Sequence, residues 1–332
     1  MIPVLVGALP VLLFLGALIL IDSYKLVSLK SVLLAIGAGV AAAAVSLGVT
    51  EALLAWSGAD IGAYARYIAP PVEEALKGAY VVYLLRSKRV GFMVDAAICG
   101  FGVGAGFALV ENAYYLQALG DSGLLLWIVR GFGTAVMHGG TSAAFAIVAK
   151  VLSDRYPARG PAVLAAALVL PAVTHAVFNH FFLPPILETV LVVTVLPALL
   201  WVVFKQSEEA TRNWLGVGLD ADMELLELIT TGDLTGSHVG TYLHSLKEKF
   251  PAESIVDMLC LLRLHTELAL RAKGVLMMRS MGFPPEKDPD IAEKFTELKY
   301  LERSIGPTGK IAIAPFLRTT SSDLWQIHML QS

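Results

Sequence analysis

The chain is poor in charge: 16% of its 332 residues are Asp, Glu, Lys or Arg, while 56% are hydrophobic and the mean hydropathy is +0.68. Soluble domains carry about a quarter of their residues charged, so this composition excludes an ordinary soluble fold. The net charge of −3 is too small to point to nucleic acid or to a strongly charged partner. Cysteine is scarce as well. Cys99, in an apolar stretch, and Cys260, far downstream, offer neither metal spacing nor a disulfide framework, and both read as free thiols. Also missing are an HExxH zinc-protease motif, a GxSxG nucleophile elbow, low-complexity tracts and internal repeats.

What the sequence has is apolar runs. Seven of spanning length precede residue 207, at 2–21, 31–56, 70–85, 91–119, 124–150, 161–183 and 186–204, against the about 20 residues a bilayer requires. Basic residues sort by side. Connections after the first, third and fifth runs carry Lys25 and Lys30, then Arg86, Lys88 and Arg89, then Lys150, Arg155 and Arg159; those after the second, fourth and sixth carry only Arg66. The positive-inside rule therefore predicts an N-terminus outside and a cytoplasmic C-terminal tail. Cleavage after the first run would strand its lysines outside, and no basic segment precedes it, so it reads as a retained helix.

The expected fold is an all-α polytopic membrane helix bundle of about seven transmembrane helices in the plasma membrane, residues 1–206, followed by a mainly helical cytoplasmic domain, residues 207–332. In that tail Met223, Leu226 and Ile229 keep a helical period, 252–281 is long and apolar, and Ile291, Phe295, Leu298 and Leu301 mark another helix. Residues 310–325 read as a short strand or an irregular docking segment. His238, His244, His265 and His328 are scattered without ligand spacing and read as ordinary polar positions.

Ionisable groups inside the apolar runs carry the chemistry, because each is costly in a bilayer unless it has a partner or a task. Pro70-Pro71-Val72-Glu73-Glu74-Ala75-Leu76-Lys77 opens the third run; prolines suit a helix start, and Lys77 can reach either carboxylate from the same face. The fourth run holds Phe107, Glu111 and Asn112 one turn apart, after a GxxxG pair, Gly102 and Gly106, that admits a neighbouring backbone. His138 lies midway along the fifth run, with Ser142 one turn on, and His175 and Asn179 share a face of the sixth. By depth these groups converge between the outer interface and the midplane, as if lining one cavity open to the outside.

Such a cavity suffices for hydrolysis: a glutamate takes a proton from water and donors bind the oxyanion. A zinc site from Glu73 or Glu74 with His138 and His175 is the metal-dependent version. A proton- or ion-coupled transporter uses the same residue types, and a non-catalytic membrane sensor or scaffold acting through the tail is a third reading.

In order along the chain, Glu73-Glu74-Ala75-Leu76-Lys77, Phe107-Ala108-Leu109-Val110-Glu111-Asn112, the His138 segment and His175-Ala176-Val177-Phe178-Asn179 resemble the motifs of PrsW-type intramembrane proteases. These are relatives of the CAAX-processing and bacteriocin-processing membrane proteases, and the resemblance covers about residues 65–183. It implies a peptidase that cuts a membrane-anchored protein, such as an anti-sigma factor, near its extracytoplasmic side. Position by position, it implies that the paired Glu73 and Glu74 supply the general base, that His138 or Glu111 helps hold the water, and that His175 with Asn179 binds the oxyanion. Lys77, Phe107 and Asn112 would support them. The resemblance favours glutamate chemistry without a cofactor and leaves zinc open. It implies a lipid bilayer and a membrane-anchored substrate as partners; the resemblance does not extend to the tail, for which a cytoplasmic partner is a separate expectation.

Overall fold

Each long apolar run forms a helix, and short polar segments cap it. The computed structural model describes residues 2–58, 60–119, 122–232, 234, 236–285, 288–317 and 320–330. α1 is Ile2–Ile21 and α2 is Leu29–Ser57. Ser28 accepts the Ser31 N–H at the start of α2, and Gly58, in the left-handed conformation, closes it. Asp60 then caps one helical turn, which widens into a π turn over Tyr64–Ile68 and continues as α3, Ala69–Arg86. α4 is Met93–Leu119. Leu124–Ile128 and a second π turn, Val129–Thr134, lead into α5, Ala135–Arg155. α6 is Gly160–His180 and α7 is Pro185–Thr231.

The protein is a multi-pass membrane protein. Among the described residues six helical stretches are long and apolar enough to cross a bilayer: α1, α2, α4, Leu124–Arg155, Pro157–His180 and α7. The seventh expected span, α3, has the length of a crossing, but Glu73, Glu74 and Lys77 keep it out of the apolar set. α4 is the most enclosed: 83% of its most apolar stretch is buried, against 17–33% for α1, α2, α6 and α7. It lies between α2 and α5, and glycine makes that possible. A Cβ at Gly106 would stand 2.1 Å from the Ile36 carbonyl oxygen of α2, and one at Gly104 would stand 2.1 Å from the His138 carbonyl oxygen of α5. The alternating glycines thus bring two backbones, and with them His138, against opposite faces of one helix.

The chain divides into two compact units, Met1–Glu208 and Glu209–Ser332. The polar turn in composition after Gln206 does not stop α7, which runs through Thr231 because Glu, Ala and Leu are good helix formers. The second unit also contains α8 (His238–Ser245), α9 (Ala252–Ser280), α10 (Ile291–Ile313) and α11 (Ser321–Leu330) around Met258, Leu262, Leu268, Phe295, Leu301 and Ile313. The segment expected to be a strand or an irregular arm is helical at both ends. Residues 310–313 complete α10 and 321–325 begin α11, while 318 and 319 lie outside the described residues.

Candidate active site

α3 puts Glu73, Glu74 and Lys77 on one side, facing α5 and α6. Glu74 and Lys77 are each 1% exposed, and the Lys77 Nζ lies 2.5 Å from Glu74 Oε1. The same oxygen accepts the Thr141 hydroxyl at 3.0 Å and pairs with His175 Nδ1 at 2.8 Å. One buried carboxylate oxygen therefore ties three helices together, and the other, Oε2, is buried without a partner. A buried charge is tolerated only with such compensation.

Lys77 also reaches His138, with Nζ 3.1 Å from Nδ1, and His138 Nε2 lies 2.8 Å from Glu111 Oε2. An ammonium has only protons to offer, so Nδ1 is the acceptor and Nε2 carries the ring proton, donated to Glu111. The same reasoning places the His175 proton on Nδ1, toward Glu74, and leaves the His175 Nε2 lone pair free. It looks toward Glu73 Oε2 at 3.9 Å. The two imidazoles stand edge to face, centroids 4.8 Å apart, and Phe107 packs beside His138 at 5.1 Å.

Arg130, on the π turn before α5, completes the network. Its Nη2 lies 3.4 Å from Glu111 Oε1, its Nε donates to Asn112 Oδ1 at 2.9 Å, and its guanidinium stacks on Tyr115 at 3.8 Å. Asn112 in turn donates to the Gly7 carbonyl of α1 at 2.8 Å.

Seven of the nine residues singled out from the sequence are joined by these polar contacts: Glu73, Glu74, Lys77, Glu111, Asn112, His138 and His175. Phe107 walls the cluster. Asn179 is on the expected helix, one turn past His175, but its amide donates to the Ala65 carbonyl at 2.9 Å. Ser142 Oγ is buried without a partner and makes no bond to His138.

A family model described as PrsW family intramembrane metalloprotease matches residues 27–203, more than half of the chain. The chain belongs to the PrsW family. No curated protein and no solved structure matches it. The match spans every residue of the cluster beyond Gly7 and ends before the second compact unit. A PrsW member with this set of membrane helices is an intramembrane protease, a hydrolase of the bilayer.

The family description names a metal, and the donors here meet that demand in part. Glu73, His138 and His175 each bring one ligand atom to within 4.8 Å of the others. His175 Nε2 and the Glu73 carboxylate have free lone pairs, and Glu74 on His175 Nδ1 is the carboxylate partner that metal-bound histidines usually have. His138 is different: its Nδ1 lone pair is taken by Lys77 and its Nε2 carries the proton. It becomes a ligand only if Lys77 lets go.

Proposed function

We propose that the protein cleaves a peptide bond of a membrane-anchored protein with water activated by Glu73. The observation that carries this reading is the contrast between a glutamate fixed by three donors and a neighbour left free beside an unprotonated imidazole nitrogen. A general base must reach water and change protonation, which a carboxylate locked under an ammonium does poorly. Glu73 is 17% exposed and meets that need.

Water bound against Glu73 and His175 Nε2 would offer one hydrogen to each, with an oxygen lone pair turned to the scissile carbonyl. Glu73 takes the proton as the oxygen attacks, and the tetrahedral oxyanion is stabilised by the positive charge of Lys77, whose ammonium lies between Glu74 and His138. Glu73 then passes the same proton to the leaving amine as the C–N bond breaks, so charge and protons balance. Glu74, with Lys77 and Thr141, orients His175; Glu111, with Arg130, orients His138. Zinc, when bound by Glu73, His175 and a released His138, would supply Lewis-acid polarisation and a more acidic water.

The charge asymmetry of the connections supports an N-terminus outside, a cytoplasmic 207–332 region and a site near the extracytoplasmic face of the plasma membrane. The substrate class is a single-span membrane protein, such as an anti-sigma factor. The test is cleavage of a co-expressed or co-reconstituted single-span substrate by the full chain. Glu73→Gln should insert and melt as the natural chain does yet leave the substrate whole; continued turnover by that variant refutes this reading.

A further inference from the structure

The prolines that open α3 remove hydrogen-bond donors that the fold replaces only in part. In the π turn the Ala69 N–H goes to the Tyr64 carbonyl, five residues back. Pro70 and Pro71 follow and have no N–H. Counted four back or five, the helical donors for the Arg66 carbonyl are these two prolines; Tyr67 loses its four-back donor to Pro71, and its five-back residue, Val72, lies past the π turn, where the four-back pattern of α3 has begun. Ala65, whose five-back donor would be Pro70, is answered from another helix by the Asn179 amide at 2.9 Å.

Arg66 and Tyr67 lie at exposed positions, and carbonyls of a helix point along its axis toward the C-terminal end, here toward the Glu73 turn. Arg66 precedes Glu73 by seven residues, about 10 Å at 1.5 Å per residue. That is the reach of about three residues of extended chain.

We infer that the Arg66 and Tyr67 carbonyls form a substrate subsite that accepts backbone N–H groups from the unwound segment beside the scissile bond. The inference rests on the proteolytic reading above and adds how the substrate is held. A transmembrane substrate arrives as a helix whose scissile carbonyl is already hydrogen-bonded, so it must unwind before water can attack. Unwinding in an apolar setting frees N–H groups that nothing in lipid satisfies. A run of backbone acceptors beside the catalytic carboxylate meets that need, as a sheet edge does for an added strand. It does so for any side chain, and Asn179 keeps the first of the three carbonyls out of the exchange.

The experiment uses the full chain in liposomes with a single-span substrate. The double variant Pro70→Ala/Pro71→Ala returns two N–H groups to the helix and closes both acceptors. It should keep or raise the melting temperature, raise KM about three- to tenfold for each bond lost and change kcat less. In parallel, substrates are made with one backbone amide at a time replaced by an ester within three residues of the cleaved bond. With the natural chain at least one ester should cost a similar factor; with the double variant the same ester should cost nothing more. Esters that cost nothing at any position, or losses that simply add in the double variant, overturn the inference and leave the carbonyls to water. Should the double variant fail to fold, the ester series on the natural chain still decides. Loss of turnover in Glu73→Gln is read separately, so a failed subsite and a failed proteolytic reading give different results.

Discussion

Glu74 is 1% exposed and takes three donors on one oxygen, while the adjacent Glu73 is 17% exposed and lies 3.9 Å from the nearest imidazole nitrogen. Their conservative variants should therefore fail differently. Glu73→Gln should lose about 10²–10⁴ in kcat, the range for a general base, with an unchanged melting temperature. Glu74→Gln leaves Lys77 buried without its counter-charge and should cost about 3 to 5 kcal/mol of stability, read as a fall in melting temperature in detergent. Equal losses of stability in both would contradict this division of labour.

The proton on His138 Nε2 governs metal content. With Lys77 on Nδ1, His138 has no lone pair to give, so the natural chain should purify with well under one zinc per chain and resist chelators. Lys77→Met frees Nδ1 and should raise zinc content on elemental analysis, whether or not the variant cleaves. Stoichiometric zinc in the natural chain would sink the tautomer assignment.

Arg130 sits under Glu111 with three distinct contacts, to that carboxylate, to Asn112 and to the Tyr115 ring. Arg130→Met should cost about 1 to 3 kcal/mol, discounted because Glu111 is partly exposed, and should lower kcat more than it raises KM. Arg130→Lys should rescue little, since an ammonium cannot bond Asn112 sideways and stack on Tyr115 at once. Full rescue by lysine would mean that charge alone matters.

Most of this cluster is legible in the sequence because a charge in an apolar run is conspicuous. Glu73, Lys77, Glu111, His138 and His175 each declare themselves that way. Arg130 escaped notice because it lies near the start of its run, where a basic residue passes for an interfacial anchor; the signal was a glutamate one helix earlier that still lacked a cation. Thr141 is too ordinary a residue to stand out. Asn179 was legible by spacing but not by partner: one turn past His175 it shares that residue's face, yet the carbonyl orphaned by Pro70 draws its amide away. The length of α7 was hidden for the opposite reason, since composition changes at residue 207 while helix propensity does not.

The clasp from Asn179 to Ala65 joins α6 to the π turn ahead of α3. Asn179→Leu should leave the Ala65 carbonyl without a donor and, because that bond is exposed, cost about 0.5 to 1.5 kcal/mol, read as a fall in melting temperature. An asparagine acting as an oxyanion donor predicts otherwise: stability would be untouched and kcat would fall.

His265, on α9, lines a small cavity with Asp222, Thr266 and Gln326, and burial pushes its pKa below the ordinary 6.5 despite the pull of Asp222 and Asp323. The unfolded chain therefore takes up a proton at a higher pH than the folded one. As pH falls through about 6.5, the unfolded state binds more protons and stability drops, until the folded imidazole titrates as well and the loss levels off. Amide hydrogen exchange across Ala252–Ser280 in the full chain, corrected for intrinsic rates, should show protection falling between about pH 7.5 and 5.5. His265→Gln should flatten that dependence. Protection that holds steady or rises on acidification would show that Asp222 and Asp323 outweigh burial, with the imidazole charged in the folded protein.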